Sequence, residues 1–198
     1  ITIEMAVAPI ALALAAHPDL GRYDLSSLRY VMWCATPVTR SVADTVTERA
    51  GIQWLTAYGT TELPVIACNP LDATRIDTVG RPVRGVDVRI SEDGEIQVRS
   101  DSVMAGYLPD SATAEAFSDG WYRTGDVGYL DVDGWLRITD RAKEMIKVRG
   151  FQVAPAEIEA VLHGHPAVED CAVFGVHDTA NGEAIVAAVK TCSPVEAD

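Results

Sequence analysis

The pentapeptide YGTTE, Tyr58–Glu62, combines a glycine, two hydroxyls and a carboxylate directly after a short apolar segment. A strand that ends in a glycine-containing turn can present a backbone N–H group and threonine hydroxyls to a phosphate group. The adjacent Glu62 carboxylate can hold Mg²⁺ on that phosphate, because Mg²⁺ binds few carboxylates together with phosphate oxygens and water. The alternative is an ordinary surface turn, since Gly and polar residues are common in turns.

A second acidic residue that could carry chemistry is Asp126, in the segment WYRTGD, 121–126. A carboxylate can accept hydrogen bonds from both hydroxyls of a ribose, as the acidic residue of dinucleotide-binding folds does. The alternative is an aspartate in a turn after Gly125, which is a common pairing. Taken alone, the segment favours the turn.

Four cations lie within nine residues of a chain whose net charge is −13. They are Arg141, Lys143, Lys147 and Arg149. Such a cluster can attract a small anion through the local field of a cleft, whatever the total charge is. The alternative is a solvated face of a strand.

The elements around the first motif follow from apolar periodicity. We predict a core helix, two short strands and an amphipathic helix that ends at Gly51. These are the helix Met5–Ala16 with Pro9 in its first turn, the strand Leu28–Met32, the helix Ser41–Ala50 and the strand Trp54–Ala57. This order predicts an α/β layer.

The pattern changes after Asn69-Pro70. Two segments that alternate with period two, 86–90 and 95–99, flank Asp93-Gly94 and predict a hairpin. Asp133-Gly134 lies between two further segments of the same kind. We therefore expect a small antiparallel β-barrel or sheet over residues 79–139.

A new unit begins at Asp140. We predict a strand, a helix with Pro155 at its first position, and two apolar strands. They are Met145–Val148, Pro155–Leu162, Asp170–Val176 and Ala184–Lys190. The fold class is therefore mixed, with an α/β layer and an antiparallel part followed by an α+β module.

Composition excludes several classes of protein. The 198 residues are 48% hydrophobic and 23% charged, as in ordinary globular proteins. The net charge of −13 argues against nucleic-acid binding, which depends on many Lys and Arg contacts to phosphate. The four cysteines form no CxxC motif, which favours reduced thiols in a cytoplasmic protein over a zinc site. The first residue is not Met, which indicates a fragment.

YGTTE, WYRTGD and the later segment DRAKEMIKVRGFQVAPAEIE (140–159) resemble, in this order and spacing, the adenylate-forming enzymes. That superfamily includes acyl-CoA synthetases, coumarate-CoA ligases, luciferases and peptide-synthetase adenylation domains. The resemblance runs the whole length of the chain and covers the later part of such an enzyme. It implies that residues 1–139 belong to the large N-terminal domain and that 140–198 form the hinge and first part of the small C-terminal domain.

The resemblance assigns roles to residues of the first motif. It implies that Thr61 contacts the α-phosphate, that Glu62 holds magnesium and that Tyr58 lies against the adenine. Gly59 and Thr60 complete this part of the nucleotide site, and Ala35 lies beside the adenine. Next to Ala35, the bulky Trp33 either narrows a pocket or packs.

The resemblance also assigns the downstream residues. It implies that Asp126 binds the ribose, that Arg141 meets the ribose or a phosphate and that Asp140 is a hinge. Lys147 and Gly150 match positions near the pantetheine thiol, where a glycine lets a narrow ligand pass close to the backbone. Thr61, Glu62 and Lys147 are the expected catalytic residues, and Arg149 is expected to be a surface residue.

The implied activity is that of an ATP-dependent acyl-CoA synthetase that joins a carboxylic acid, with a fatty acid favoured, to CoA through an acyl-adenylate. ATP or AMP, Mg²⁺ and CoA are the expected ligands, and peripheral membrane contact is expected for the complete enzyme. An acyl-AMP ligase that loads a carrier protein and a non-catalytic nucleotide-binding module remain alternatives. The glycine-rich phosphate loop and a late catalytic lysine of the superfamily are missing from these residues, so we expect the isolated chain to be inactive. The acid and the oligomeric state stay open.

Overall fold

The computed structural model describes residues 1–34, 40–179 and 181–192. The chain divides into two compact units. The first comprises Ile1–Thr124 and Tyr129–Ile138, and the second comprises Gly125–Gly128 and Thr139–Asp198. The domain limits inferred from the sequence stay a prediction, and each unit is taken by itself below.

The described residues form the following helices and strands. The α-helices are α1 (Ala8–Ala16), α2 (Arg40–Ala50), α3 (Asp110–Ala116) and α4 (Pro155–His163), with a 3₁₀ turn at Leu20–Arg22. The strands are β1 (Ile3–Ala6), β2 (Tyr30–Trp33), β3 (Trp54–Tyr58), β4 (Ala67–Cys68), β5 (Arg81–Pro82), β6 (Asp87–Ile90), β7 (Glu95–Arg99), β8 (Phe117–Ser118), β9 (Trp121–Leu130), β10 (Leu136–Arg141), β11 (Ile146–Val148), β12 (Phe151–Val153), β13 (Val168–Asp178) and β14 (Gly182–Thr191). In the described ranges no helix has both the length and the apolar character needed to cross a membrane.

The first unit begins with a five-stranded sheet in the order β1-β2-β3-β4-β5. The first three strands are parallel and the last two are antiparallel to their neighbours. A core that includes Trp33, Val46 and Trp54 lies between this sheet and the helices α1 and α2. The indoles of Trp33 and Trp54 are 5.3 Å apart, so the packing role considered for Trp33 is the one observed.

The predicted helix Met5–Ala16 is wrong at its start. Met5 and Ala6 belong to β1, where they pair with Met32 and Trp33 of β2. Apolar periodicity does not distinguish a short buried strand from the first turn of a helix. Pro9 lies at the beginning of α1, as expected, and this position restricts the start because proline is tolerated only in the first turn.

The predicted helix Ser41–Ala50 and its stop are confirmed. It begins one residue earlier, at Arg40, and Gly51 follows it with φ of +68°. The Arg49 guanidinium donates to the Ala15 carbonyl at 2.6 Å and to the His17 carbonyl at 2.5 Å, which ties α2 to the end of α1.

The antiparallel part has the sheet order β10-β9-β7-β6, and β8 pairs with β9. The predicted hairpin is confirmed, with Asp87 opposite Arg99 and with Gly94 at φ of +83° in the turn. The sequence analysis predicted either a small barrel or a sheet for this part. The described strands pair in the linear order β10-β9-β7-β6. The core of this part includes Leu63, Ile66, Ile96, Val98 and Leu136.

The second unit contains a four-stranded sheet in the order β12-β11-β14-β13. Helix α4 packs against β13, and the Glu159 carboxylate accepts the Val173 N–H at 2.8 Å. Pro155 lies at the start of α4, as predicted. Strand β12 was not predicted, because the turn before it places Arg149, a non-glycine residue, at φ of +50°. The mixed fold class expected from the sequence is confirmed.

The loop between β4 and β5 is held by the buried side chain of Asn69. Its amide N–H₂ donates to the Thr56 hydroxyl, to the Arg75 carbonyl at 3.2 Å and to the Thr78 carbonyl at 3.3 Å. Its carbonyl oxygen accepts the Arg75 N–H at 2.6 Å. One side chain therefore satisfies several polar groups that would otherwise lie buried without partners.

We expect Asn69→Ala to lower the free energy of unfolding by about 2–3 kcal/mol, because the substitution leaves buried donors and acceptors unsatisfied. Urea denaturation followed by tryptophan fluorescence measures the change. The matched control is Asp72→Ala, an exposed position in the same loop. Equal stability of the two variants would contradict this role for Asn69.

Candidate active site

The YGTTE segment forms a tight reversal after β3. Tyr58 is the last residue of β3 and pairs with Ala67 of β4. Within the turn, Thr60 N–H donates to the Leu63 carbonyl at 3.0 Å, and Leu63 N–H donates to the Thr60 hydroxyl at 3.2 Å. A Cβ atom at Gly59 would lie 2.0 Å from the Pro64 carbonyl oxygen, so the reversal requires glycine at this position.

The two threonines of the turn differ in their surroundings. Thr61 is exposed, whereas Thr60 is partly buried, and its hydroxyl accepts the Leu63 N–H and interacts with the Glu62 carboxylate. Thr61 is therefore the better placed of the two to donate to an added ligand. Tyr58 is buried in the core of the antiparallel part.

The Glu62 carboxylate is half-buried beside two tyrosines. The Tyr107 hydroxyl donates to Glu62 Oε1. The hydroxyl of Tyr122, a residue that is only 4% exposed, interacts with both Tyr107 and Glu62. The main chain is tied as well, because Met104 N–H donates to the Glu62 carbonyl at 2.8 Å.

These contacts set the charge of the group. Burial alone would raise the pKa of the Glu62 carboxyl, but the hydrogen bond from Tyr107 and the other donors outweigh it and hold the pKa below its usual value. The bond to Glu62 raises the pKa of Tyr107, and burial is the main cause that raises the pKa of Tyr122. At neutral pH the cluster is therefore one carboxylate with two neutral phenols.

In the second unit, Asp126 and Arg141 form an ion pair. Asp126 is 7% exposed, and its Oδ1 lies 3.5 Å from Arg141 Nε. The Arg141 side chain is 61% exposed. Ala142 N–H donates to the Gly125 carbonyl at 2.8 Å, so backbone and side chain both join these two segments.

The predicted hinge residue Asp140 has its carboxylate bound to backbone groups. Oδ1 accepts the Arg141 N–H at 2.8 Å, and Oδ2 accepts the Ala156 N–H at 3.2 Å. Ala156 lies in the first turn of α4, where N–H groups lack partners inside the helix. Asp140 thus connects the end of β10 to the start of α4.

Lys147 and Gly150 lie on the β11–β12 hairpin. The Lys147 N–H donates to Glu183 Oε2 at 2.6 Å, and its side chain is exposed. Gly150 has φ of +85°, and a Cβ there would meet nothing within 4 Å. The turn conformation by itself therefore accounts for glycine. Arg149 is exposed, as expected, but its Nε donates to Asn181 Oδ1 at 2.5 Å.

The structure brings the predicted residues together in two groups, one in each unit. Tyr58, Gly59, Thr60, Thr61 and Glu62 share one turn of the first unit. Asp126, Asp140, Arg141, Lys147 and Gly150 belong to the second unit. Ala35 lies outside the described residues.

The sequence analysis did not identify Tyr107 or Tyr122. Tyr122 lies inside WYRTGD, so its position beside a candidate motif was an available signal. Tyr107 follows Gly106 in an ordinary loop, 45 residues from Glu62, and nothing in its spacing indicates the contact.

A metal would need further ligands beside Glu62. Within the described ranges no group of three or more His, Cys, Asp or Glu residues could hold a metal ion. One ionised carboxylate still fits Mg²⁺ when phosphate oxygens and water supply the other ligands. The residues present therefore suit a metal that arrives with a phosphate.

Comparisons with known proteins agree on the family. The AMP-binding enzyme model matches residues 1–108, and the model of the AMP-binding enzyme C-terminal domain matches residues 157–197. The chain is 40% identical to 4-coumarate–CoA ligase 1 of Glycine max, and the match covers 96% of the chain and 71% of that protein.

Two solved structures are similar to this chain in fold. Amide bond synthetase McbA from Marinactinospora thermotolerans has 39% identity and a TM-score of 0.88, with 100% of this chain and 43% of that chain covered. The o-succinylbenzoate CoA synthetase MenE from Bacillus subtilis, solved with the acyl-adenylate intermediate OSB-AMP, has 29% identity and a TM-score of 0.86, with 99% and 42% covered.

The chain spans only part of most of these relatives, for example 38% of the 4-coumarate–CoA ligase CCL1 of Humulus lupulus. The AMP-binding enzyme model matches residues 1–108 of the 198 residues, which is more than half of this chain. The chain therefore belongs to the family of AMP-binding, adenylate-forming enzymes.

Proposed function

We propose that the protein containing this chain is an acid–thiol ligase. A carboxylate oxygen of the acid attacks the α-phosphorus of ATP and pyrophosphate leaves, which gives an acyl-adenylate. The sulfur of CoA then attacks the acyl carbon, AMP leaves with the bonding electrons, and the thiol proton passes to solvent. The observation that carries this proposal is the ionised Glu62 carboxylate beside the exposed Thr61, in the turn of an AMP-binding family member.

For the first step, this turn supplies a donor and an anion side by side. Thr61 would donate to the α-phosphate, where negative charge increases during attack. Glu62 would hold Mg²⁺, which neutralises phosphate charge when it is bound. Because Tyr107 and Tyr122 keep Glu62 ionised, the carboxylate needs no proton loss before a cation binds.

Asp126 and Arg141 of the second unit are our proposal for residues that contact the nucleoside. Asp126 has a carboxylate that could accept from a ribose diol, and Arg141 beside it could donate to ribose or phosphate oxygens. The pair is already formed, so the carboxylate orientation is set before a nucleotide binds. Lys147 and Gly150 remain our proposal for the surroundings of the CoA thiol.

The preferred acid changes from the one expected. The resemblance favoured a fatty acid, although the apolar segment after Glu62, LPVIACNP, is compatible with a fatty or an aryl acid. In the structure, however, Leu63 and Ile66 are buried in the core of the first unit, whereas Val65 is exposed. The apolar character of Leu63 and Ile66 therefore serves folding. Relatives named for 4-coumarate and o-succinylbenzoate support an aromatic acid instead.

An amine is the second candidate acceptor. The amide bond synthetase McbA is 39% identical to this chain, which is as similar as the 4-coumarate–CoA ligases are. An amine nucleophile would use the same acyl-adenylate and would also release AMP. Loading of a carrier protein, and the cytoplasmic location and membrane contact expected from the sequence, stay predictions.

The full-length protein, incubated with ATP, Mg²⁺ and one acid at a time, tests the proposal. The panel contains 4-coumarate, o-succinylbenzoate and fatty acids of several lengths, each with CoA, an amine or a carrier protein. We expect pyrophosphate release with an aromatic acid and a thioester detectable by mass spectrometry. A folded protein that releases no pyrophosphate with any acid would instead be a nucleotide-binding module.

Replacement of Glu62 tests the metal contact. We expect Glu62→Gln to fold normally and to lower the rate of adenylation by roughly 10²–10³-fold, as for loss of one electrostatic contact in a transition state. Pyrophosphate release at saturating ATP measures the rate. The control is Glu115→Gln, an exposed position on α3. Unchanged release would remove Glu62 from the site.

Replacement of Asp126 tests the ribose contact. We expect Asp126→Ala to weaken AMP binding by roughly 10- to 100-fold, in line with one or two hydrogen bonds to a charged group. Titration calorimetry with AMP measures affinity, and a thermal melt checks folding. Asp101→Ala, at an exposed position, serves as the control. The same AMP affinity in both variants would contradict the assignment.

Two replacements of Asp140 separate its possible roles. Asp140→Ala removes the bond to Ala156 N–H but keeps backbone freedom, whereas Asp140→Pro also fixes φ near −65°. If the hinge requires backbone rotation, only the proline variant should impair the two half-reactions unequally. Pyrophosphate release and transfer from preformed acyl-adenylate measure them separately. Equal slowing of both steps in the proline variant would argue against a hinge here.

A further inference from the structure

We propose that Tyr107 is a positioning residue that holds the Glu62 carboxylate in the orientation needed for its contact with the metal-bound phosphates. This inference rests on the proposed function, because it assigns a support to the residue that would hold the cation. It concerns a side chain that no motif in the sequence marks.

Two independent bonds fix Glu62 from the same loop. Its carboxylate accepts a hydrogen bond from the Tyr107 hydroxyl, and its main-chain carbonyl accepts one from the Met104 N–H at 2.8 Å. A glutamate side chain has three rotatable bonds and loses considerable freedom when it is ordered. The backbone bond alone would leave these side-chain torsions unrestrained. The side chains that contact the carboxylate are Tyr107, Thr60 and Tyr122, and of these the Tyr107 hydroxyl makes the largest contribution to lowering its pKa.

Tyr107 is itself held by the helix that follows it. Its N–H donates to Thr113 Oγ1 at 2.7 Å, and the Thr113 hydroxyl lies 3.4 Å from the Tyr107 carbonyl oxygen. Thr113 belongs to α3. A Cβ at Gly106 would lie 2.8 Å from Thr113 Oγ1, so the loop packs tightly against this helix.

Tyr122 lies next to Tyr107 and restrains it further. Tyr122 is buried on β9, and its ring packs against Phe117 with centroids 5.6 Å apart. Its hydroxyl interacts with that of Tyr107 and with the Glu62 carboxylate. The contacts therefore connect strand β9 and helix α3 to the Glu62 carboxylate.

This geometry suits a cation contact. An ionised carboxylate has about four acceptor positions on its two oxygens, so the hydroxyl donors leave capacity for a metal. A group that is oriented before the ligand arrives does not spend binding energy on reorganisation during the reaction. The competing explanation is that Tyr107 only fastens its loop to the turn, a role that the Met104 bond would retain after the hydroxyl is lost.

Tyr107→Phe in the full-length protein distinguishes these explanations, because it keeps the ring and removes only the hydroxyl. Titration calorimetry measures ATP affinity in the presence of Mg²⁺ and in EDTA, and AMP affinity without metal. The quantity compared is the ratio of ATP affinity with Mg²⁺ to ATP affinity in EDTA. We expect this ratio to be about tenfold smaller in Tyr107→Phe, the size expected for loss of one hydrogen bond to a charged group. AMP affinity and KM for the acid should stay within about twofold, while kcat for adenylation falls. Tyr129→Phe, an exposed tyrosine on β9, is the matched control.

The double variant Glu62→Gln/Tyr107→Phe tests whether Tyr107 acts through Glu62. We expect it to match Glu62→Gln alone, since a positioning residue has nothing left to position. Additive losses would overturn the inference. So would an effect of Tyr107→Phe that is the same on AMP binding and on Mg²⁺-dependent ATP binding.

The single variants separate this inference from the proposed function. If Tyr107→Phe is normal while Glu62→Gln is defective, the inference is overturned and the proposed function stays intact. A normal Glu62→Gln would instead overturn the proposed metal contact. Should Tyr107→Phe melt early, Thr113→Val, which loosens Tyr107 without touching Glu62, must produce the same selective loss for the inference to stand.

Discussion

The close approach of Gly59 to the Pro64 carbonyl is the constraint on which the candidate site depends. The chain leaves a buried strand at Tyr58 and must return beside it at Ala67, and a side chain at position 59 would block that return. The same reversal sends Leu63 and Ile66 into the core and leaves Thr61 exposed. The packing of the turn therefore decides which way its polar groups face.

Local signals in the sequence predicted a large part of the secondary structure. Asp93-Gly94, Gly51 and Pro155 lie where the predicted turn, helix stop and helix start require them, because each residue has a strong conformational preference of its own. The strand at Met5 and Ala6 was missed because its identity depends on pairing with β2, which lies 25 or more residues away. Pairing between distant segments leaves no trace in a local pattern.

The candidate site likewise contains residues that local motifs predicted and contacts between distant residues that they did not. The residues of YGTTE were found together because they are neighbours in the chain, and Arg141 was found through its motif. The contact of Glu62 with Tyr107 spans 45 residues and depends on α3, so only the folded chain shows it. Gly150 is a different case, since its φ of +85° explains the glycine without any ligand. The roles in the reaction stay predictions for all of these residues.

The charge of the site follows from how Glu62 is buried. A half-buried carboxylate would tend to take up a proton, but hydroxyl donors offset the loss of hydration and keep it ionised. An ionised carboxylate repels a triphosphate, and the chain as a whole carries a net charge of −13. If ATP binds at this turn, as proposed, a cation between the two anions would have to offset this repulsion. Under the proposed function, the same tyrosines that keep Glu62 charged would thus make nucleotide binding at this turn depend on a divalent metal.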